Sequence, residues 1–550
     1  MEGCHIFKKI LKDSAHLPTV MLIIGYPVYW FELFAFKHPT GQTSVLATLL
    51  FLLAACVILV REFNGSDRKI GSLKKQLMMQ DLSTRWIITS GVFLAFLILF
   101  YAFYASLLPA HLIQESDAMN YHITLPRQHL ILGSFSHIPW AADDLFLLPI
   151  QFALTPYWLA TDLPNKWPQF LFLIGLCLVA KNLAGYFGKE KWLGKIVVVL
   201  AILGSHHVGI QMGTAMIDLV ICYLCFAALD SFLKGNMVLC LIEFSFFFWS
   251  KAFFPLQITA AAGILIIAWV ILKRCKFHSI SLGFTGVDEA AKKKYVSQIK
   301  KMWGGFIIVS LLVAGPFLAK SLFYSGTPLF PFMTGSVMLN KNIDQNSINW
   351  KSIEAAAEVF TEEIRNNYGY GRSITAFIKH FWLIAVPDKG VNNQFDYPLG
   401  LIYLLAIGPF LVQWIASLKL RTFSILSNFI VLYWISWWFG SQQSRFLYIP
   451  VLLMVILVVA QVLKPSRLFM IAVILGLCFN LLSVFRAHRN DIGKQPMEVL
   501  REKDKKLVTM SKDYHRAGRK DMVELDFHDV AFAQFPVKVI KENLPHTLAL

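Results

Sequence analysis

The sequence predicts an all-α membrane protein that crosses the bilayer about thirteen times, with loops on the outer side and a small C-terminal appendix. Three observations lead there. Hydrophobic residues fill 56% of the 550 positions and charged residues only 15%, against roughly 25% charged in average soluble chains. Mean hydropathy is +0.56. The apolar residues also gather into runs of about twenty, the length that spans a hydrocarbon core of ~30 Å.

The runs lie at 17–36, 43–60, 86–109, 167–187, 196–210, 214–232, 237–253, 255–272, 302–322, 398–417, 422–440, 445–463 and 468–485. The first, from Leu17 to Phe36, is long and has no small-residue cleavage site after it, so it reads as a retained span rather than a signal peptide. The fifth is short and reads as a broken or tilted helix. No tandem repeat and no low-complexity tract is evident.

Orientation follows from lysine and arginine. Segment 61–85 carries Arg61, Arg68, Lys69, Lys74, Lys75 and Arg85, and segment 273–301 carries eight basic residues from Lys273 to Lys301. Both are expected in the cytoplasm. The turns holding Lys189, Lys191 and Lys195, Lys419 and Arg421, and Lys464 and Arg467 then fall on the same side, as does the N-terminus with Lys8, Lys9 and Lys12. Loops 110–166 and 323–397 and the tail 486–550 are left outside. The net charge of +17 thus sets topology and does not signal nucleic-acid binding. Three regions result: a two-span extension with its basic loop (1–85), a transmembrane module (86–485) and the tail (486–550), which ends in a strand-like stretch near Val523–Val539.

Six of the eight cysteines lie inside apolar runs, and Cys4 and Cys275 lie in cytoplasmic segments, so no disulfide framework is expected. Cys222 and Cys225 form a C-x-x-C pair inside a span and read as small packing residues.

The most informative stretch follows the third span: Gln114-Glu115-Ser116-Asp117-Ala118-Met119-Asn120-Tyr121-His122. A carboxylate at the bilayer surface can act as a general base towards an acceptor hydroxyl or amine, or hold a divalent cation. Ser116 or Asp117 can equally cap a juxtamembrane helix. Asp218 opens the sixth span, where an ionisable group is a functional candidate by default, or a cap of its own helix. Arg445 stands at the outer mouth of the twelfth span, Lys251 at the outer end of the seventh, and Arg372 within Tyr368-Gly369-Tyr370-Gly371-Arg372. Such cations suit a phosphate that gains charge as a sugar departs; anchoring of helix ends is the alternative. Asp143 and Asp144 read as a solvated turn. The neighbours His206 and His207 lack a third clear zinc ligand. Pro328 and Pro331 read as fixing a turn.

Four motifs resemble the GT-C superfamily of membrane glycosyltransferases. Asp117 to Gly133 (DAMNYHITLPRQHLILG) is similar to the D-x-x-x-Y-H-x-P-x-x-x-x-x-x-G loop of its bacterial members. Ala215 to Leu219 (AMIDL) resembles their acidic residue at the head of a later span, Tyr324 to Pro331 (YSGTPLFP) their "tGNPvfP" turn, and Ser441 to Pro450 (SQQSRFLYIP) their "qqtRyllP" stretch before a late helix. The order matches over residues ~90–465. The resemblance is to polyprenyl-phosphate-sugar enzymes of the dolichyl-phosphate-mannose or aminoarabinose transferase type. It implies inverting transfer with Asp117 as base; beside it, the residues themselves put forward Asp218 in support, Arg445, Lys251 and Arg372 on the donor phosphate, and Glu115, Asn120, Tyr121 and His122 at the substrate. The chain lacks an Asp-x-Asp pair, so a divalent cation and metal-free transfer both stay open. The two leading spans are additions to the minimal pattern. The implied setting is a cytoplasmic (inner) membrane, with the N-terminus inside and the site on the outer, periplasmic face. The acceptor is an open choice among glycan, lipid and protein. A solute transporter or lipid flippase, or a non-catalytic assembly protein, are the rival readings; against transport, no internal repeat appears and the charges collect at the interface rather than mid-membrane.

Overall fold

Inside hydrocarbon each backbone N–H and C=O must be satisfied within its own segment, so apolar runs of this length fold as helices. A computed structural model shows this outcome, describing residues 13–35, 42–63, 78, 80–110, 115, 117–135, 149–159, 165–188, 192–250, 257–265, 279–281, 289–325, 369, 371–385, 395, 397–420, 422–440, 442–461, 467–494 and 499. In chain order the helices are α1 (Leu17–Ala35), α2 (Gln42–Phe63), α3 (Leu82–Leu107), α4 (Thr124–Leu132), α5 (Pro149–Trp158), α6 (Trp167–Phe187), α7 (Leu193–Gly204) and α8 (His206–Gln211). They continue as α9 (Asp218–Lys234), α10 (Met237–Phe248), α11 (Glu289–Ser325), α12 (Ile374–Leu383), α13 (Leu401–Lys419), α14 (Ile425–Phe439), α15 (Tyr448–Gln461) and α16 (Arg467–His488). Two three-residue strands, β1 (Ser279–Ser281) and β2 (Thr422–Ser424), pair in parallel with Ile280 opposite Phe423.

Eight of the described helices are long and apolar enough to cross a membrane: those over Ser14–Ala35, Thr43–Val60, Leu82–Leu107, Trp167–Phe187, Gly304–Phe323, Leu401–Lys419, Ser444–Gln461 and Arg467–His488. The chain is a helical membrane protein of several spans. At four other expected spans the helices are shorter: α7, α9, α10 and α14. The expected fifth span is broken at Ser205, which separates α7 from α8. Of the eighth, only 257–265 is described, as helix. Large side chains such as Phe34, Leu53, Phe96, Ile308, Leu312 and Val412 are exposed on the outer faces. Water would not tolerate so much contiguous apolar surface, and lipid is its natural solvent.

The core is organised on α15, buried from Tyr448 to Val459 and packed against α6, α7, α13 and α14. Around it α3 lies on α16, and α9 lies between α6 and α10. Segments expected in the cytoplasm meet at one end of the bundle. There β1 pairs with β2, Arg467 reaches Asp81 at 3.5 Å, and the Gln461 amide donates to the Phe187 carbonyl at 2.9 Å. Asp81 also caps α3 by accepting the Thr84 N–H at 3.2 Å.

The stretch 110–166, expected as a loop, contains α5, all ten of whose residues are buried. It lies on α1 through a close crossing at Gly25, where an added Cβ would stand 2.0 Å from the Ala153 carbonyl oxygen. Tyr157 donates to the Met21 carbonyl at 2.9 Å and Tyr29 to the Pro126 carbonyl at 2.8 Å. α1 thereby carries both α4 and α5. Gly25→Leu is expected to push the two helices apart and destabilise the protein by about 1–3 kcal/mol or more, as overpacked cores do. Gly194→Ala, where a Cβ meets nothing within 4 Å, is the neutral control. Thermal unfolding in detergent checks both.

Candidate active site at one end of the bundle

The loop after α3 is closed at its base, where the Lys166 N–H donates to the Ser106 carbonyl at 2.7 Å. Within it Glu115 is fully buried. Its Oε1 accepts the Ala215 N–H at 2.8 Å and pairs with Lys166 Nζ at 3.1 Å. Glu115 thus ties the end of α3 to the start of α6 and to the turn before α9. The sequence reading placed it at the substrate; here its carboxylate acts as an internal tie.

Residues Ala118–His122 form a π-helical turn with Asp117 just before it. Such turns are rare and concentrate at functional sites. Asp117 makes no side-chain cap bond to the turn. Its Oδ2 instead accepts from Arg445 Nη1 at 2.6 Å, across 328 residues of chain. The two side chains keep 22% and 16% of their surface exposed, so a ligand can reach both.

Arg445 is aimed by its own surroundings. It sits in the 3-10 turn Ser444–Leu447 that leads into α15. The Ser444 N–H donates to the Phe395 carbonyl at 2.7 Å, and Ser444 Oγ accepts the Tyr397 N–H at 3.0 Å. Its Nε donates to Gln443 Oε1 at 2.8 Å. The fork is therefore held at two points, with Asp117 taking one arm.

Tyr121 is buried beside this pair. Burial and then the Asp117 carboxylate push its phenol well above its ordinary range, and Asp218 adds to the same effect. Tyr121 therefore stays a neutral donor, hydrogen-bonded to Asp117. Asp218 is the first residue of α9, is fully buried, and accepts from Gln211 Nε2 at 2.9 Å. His122 is buried; Gln151 of α5 donates to its Nδ1 at 3.0 Å. Asp117, Tyr121 and Arg445 thus gather in one place, within reach of the Asp218 charge, and His122 adjoins Tyr121 at 4.3 Å between rings. A cavity of about 220 Å³ opens nearby, lined among others by Gly209, Met212, Thr214, Tyr397 and His488.

Arg372 is not among these groups. Its guanidinium donates to the carbonyls of Trp438 and, at 2.6 Å, Gly440, where α14 ends. A cation at a helix C-terminus is favoured by the exposed carbonyls there, and this place accounts for Arg372 as an anchor of the 369–373 segment. His206 and His207 point to different neighbours, Phe479 and Tyr448. Asn120 lies in the π-turn by its backbone, with its side chain outside the described residues. Lys251, Asp143, Asp144, Pro328, Pro331 and the Val523–Val539 stretch also lie outside them. Among the described residues, the one group of three metal-ligating side chains does not include Asp117 or Asp218.

Sequence reasoning missed Lys166, Gln151, Gln211 and Gln443. Only Gln443 carried a signal, as part of the quoted Ser441–Pro450 motif; the others act through contacts that no local pattern encodes. No family model matches the chain, and no curated protein or solved structure matches it either, so the functional reading rests on its own residues and motifs.

Proposed function

We propose that the protein transfers a sugar from a polyprenyl-phosphate carrier to an acceptor at the outer face of a cytoplasmic membrane. The observation that carries this reading is the part-exposed Asp117–Arg445 pair at 2.6 Å, which joins two of the four motifs that resemble GT-C enzymes. The reaction needs a carboxylate for the acceptor proton and a guanidinium for the phosphate, on opposite sides of the anomeric carbon once donor binding has parted the resting pair. The acceptor oxygen attacks the anomeric carbon from the face opposite the phosphate. The bond from that carbon to the phosphate oxygen breaks, and the phosphate leaves with the electron pair. The acceptor proton passes to the Asp117 carboxylate, and the configuration inverts.

Arg445 neutralises the charge that develops on the phosphate, a role in which a two-pronged donor exceeds a point charge. In the resting protein the two groups satisfy each other. A donor phosphate competes for the guanidinium and frees the carboxylate to accept a proton, so donor binding primes the base. Tyr121 orients Asp117 from the buried side, and the Asp218 charge acts on the same phenol. The charges of this set stand at helix ends and loop turns, which favours interfacial chemistry over transport through the midplane.

Arg445→Lys keeps the charge and loses the fork. It is expected to raise KM for the donor ~10-fold or more with a smaller fall in kcat. Steady-state transfer kinetics in detergent check this, and an unchanged KM in Arg445→Ala would remove Arg445 from donor binding.

A further inference from the structure

A second polar cluster lies at the other end of the helices, about 18 Å along α9 from Asp218 at 1.5 Å per residue. It joins the 3-10 turn Ser14–His16, α6, α9 and α10. His16, Asp230 and Glu243 are each at most 2% exposed. His16 Nδ1 meets Glu243 Oε1 at 2.7 Å, and His16 Nε2 meets Asp230 Oδ2 at 3.1 Å. Asp13 Oδ2 and Asp230 Oδ2 share the Lys234 ammonium, the latter at 2.6 Å. Asn182 donates to Asp230 Oδ2 at 3.1 Å. One ligand atom from each of Asp13, His16 and Asp230 lies within 4.8 Å of the others.

Three features go beyond a chance meeting of acids. First, Glu243 is itself fixed, accepting from Thr19 Oγ1 at 2.8 Å and from Ser231 Oγ at 2.7 Å. A carboxylate so held, accepting the Nδ1–H of a histidine, sets the tautomer whose Nε2 lone pair faces outward. This carboxylate–histidine arrangement recurs behind metal-ligating histidines. Without a metal, a proton on Nε2 donates to Asp230 Oδ2 at 3.1 Å; a cation that takes its place is met by the imidazole nitrogen and the carboxylate together. Second, Asp230 Oδ1 is buried with no hydrogen-bond partner, an orphaned acceptor of the kind that an unseen ligand explains. Third, three buried or half-buried carboxylates face one ammonium. A divalent cation that displaces both that ammonium and the proton on His16 Nε2 leaves the total charge of the set unchanged, so its entry adds no buried charge.

We infer that Asp13, His16 and Asp230 form a binding site for a divalent transition-metal cation, zinc by the chemistry of the donors, with Glu243 orienting His16. One imidazole and two carboxylates suit zinc or manganese rather than magnesium or calcium, which take oxygen donors. Lys234 is the competing cation. It ends α9, is 29% exposed, and can swing its ammonium out to water or lipid headgroups when the metal enters.

The test uses the full chain, purified in detergent and stripped with a chelator, with zinc as titrant in calorimetry. Wild type is expected to bind one zinc per chain. Glu243→Gln is expected to weaken binding ~10–100-fold, the range for a lost outer-shell partner, and His16→Gln to weaken it further. Lys234→Met, which removes the competitor, is expected to bind about tenfold more tightly. Cobalt in wild type and in Lys234→Met should give the visible absorbance of tetrahedral nitrogen–oxygen ligation, a readout that does not depend on the acid or histidine variants folding. Absence of zinc binding and of the cobalt spectrum in both wild type and Lys234→Met would overturn the assignment and leave an ammonium-centred ion-pair network. So would zinc affinity unchanged in a folded His16→Gln.

Discussion

Asp117→Asn is expected to lower sugar transfer by a factor of ~10² or more while folding is retained. The amide keeps the size of the carboxylate and one acceptor oxygen, so Arg445 and Tyr121 retain a hydrogen-bond partner. The side chain is 22% exposed, and because the amide oxygen still accepts from Arg445, the guanidinium is not left without a partner. What disappears is the group that accepts the acceptor's proton. The kinetic split is informative. With Asp117 neutral, Arg445 keeps only a weaker, uncharged partner and binds a donor phosphate at least as well as before. KM for the donor should therefore hold or fall while kcat collapses. If Asp117 served only to aim Arg445, KM would rise and kcat would hold.

The second large effect concerns stability. Lys166→Met is expected to destabilise the protein by about 3–5 kcal/mol, the usual cost of stranding one partner of a buried ion pair. Glu115 and Lys166 are both fully buried, so water cannot screen the orphaned carboxylate. Glu115→Gln in the same chain should restore most of the loss, because the amide oxygen can still accept the Ala215 N–H that Glu115 Oε1 accepts at 2.8 Å. Thermal unfolding of the single and double variants in detergent reads both. A single variant as stable as wild type would show that the pair does not hold α6 and α9 to the end of α3.

The long spans were legible because twenty apolar residues in a row have few other solutions. α5 was not. Ten residues are too few to span, and Gln151, Thr155 and Pro156 interrupt their hydropathy, so the segment read as loop although all ten are buried, chiefly against α1. The candidate site was legible as motifs: Asp117, Tyr121, Asp218 and Arg445 were singled out separately, and the structure brings Asp117, Tyr121 and Arg445 together. Their supports were not, because the Asp117–Arg445 contact bridges 328 residues and the Glu115–Ala215 contact 100. Arg372 looked like a phosphate ligand for the same reason; nothing local reveals that the carbonyls ending α14 would take it. The Asp13–His16–Asp230 group escaped the sequence entirely, since Asp13 and His16 share one turn while Asp230 stands more than 200 residues on, near the end of α9, and only lysine placement marked that end of the bundle.

The most direct test of the central claim places purified wild type and Asp117→Asn in liposomes with labelled polyprenyl-phosphate sugars and a membrane extract as acceptor. The expected result is label moved from carrier to acceptor by wild type, with polyprenyl phosphate released, and ~10²-fold less by the variant. No transfer by wild type from any donor, or equal transfer by both proteins, would contradict the account: the first would favour a transporter or assembly protein, and the second would keep an enzyme whose base is not Asp117.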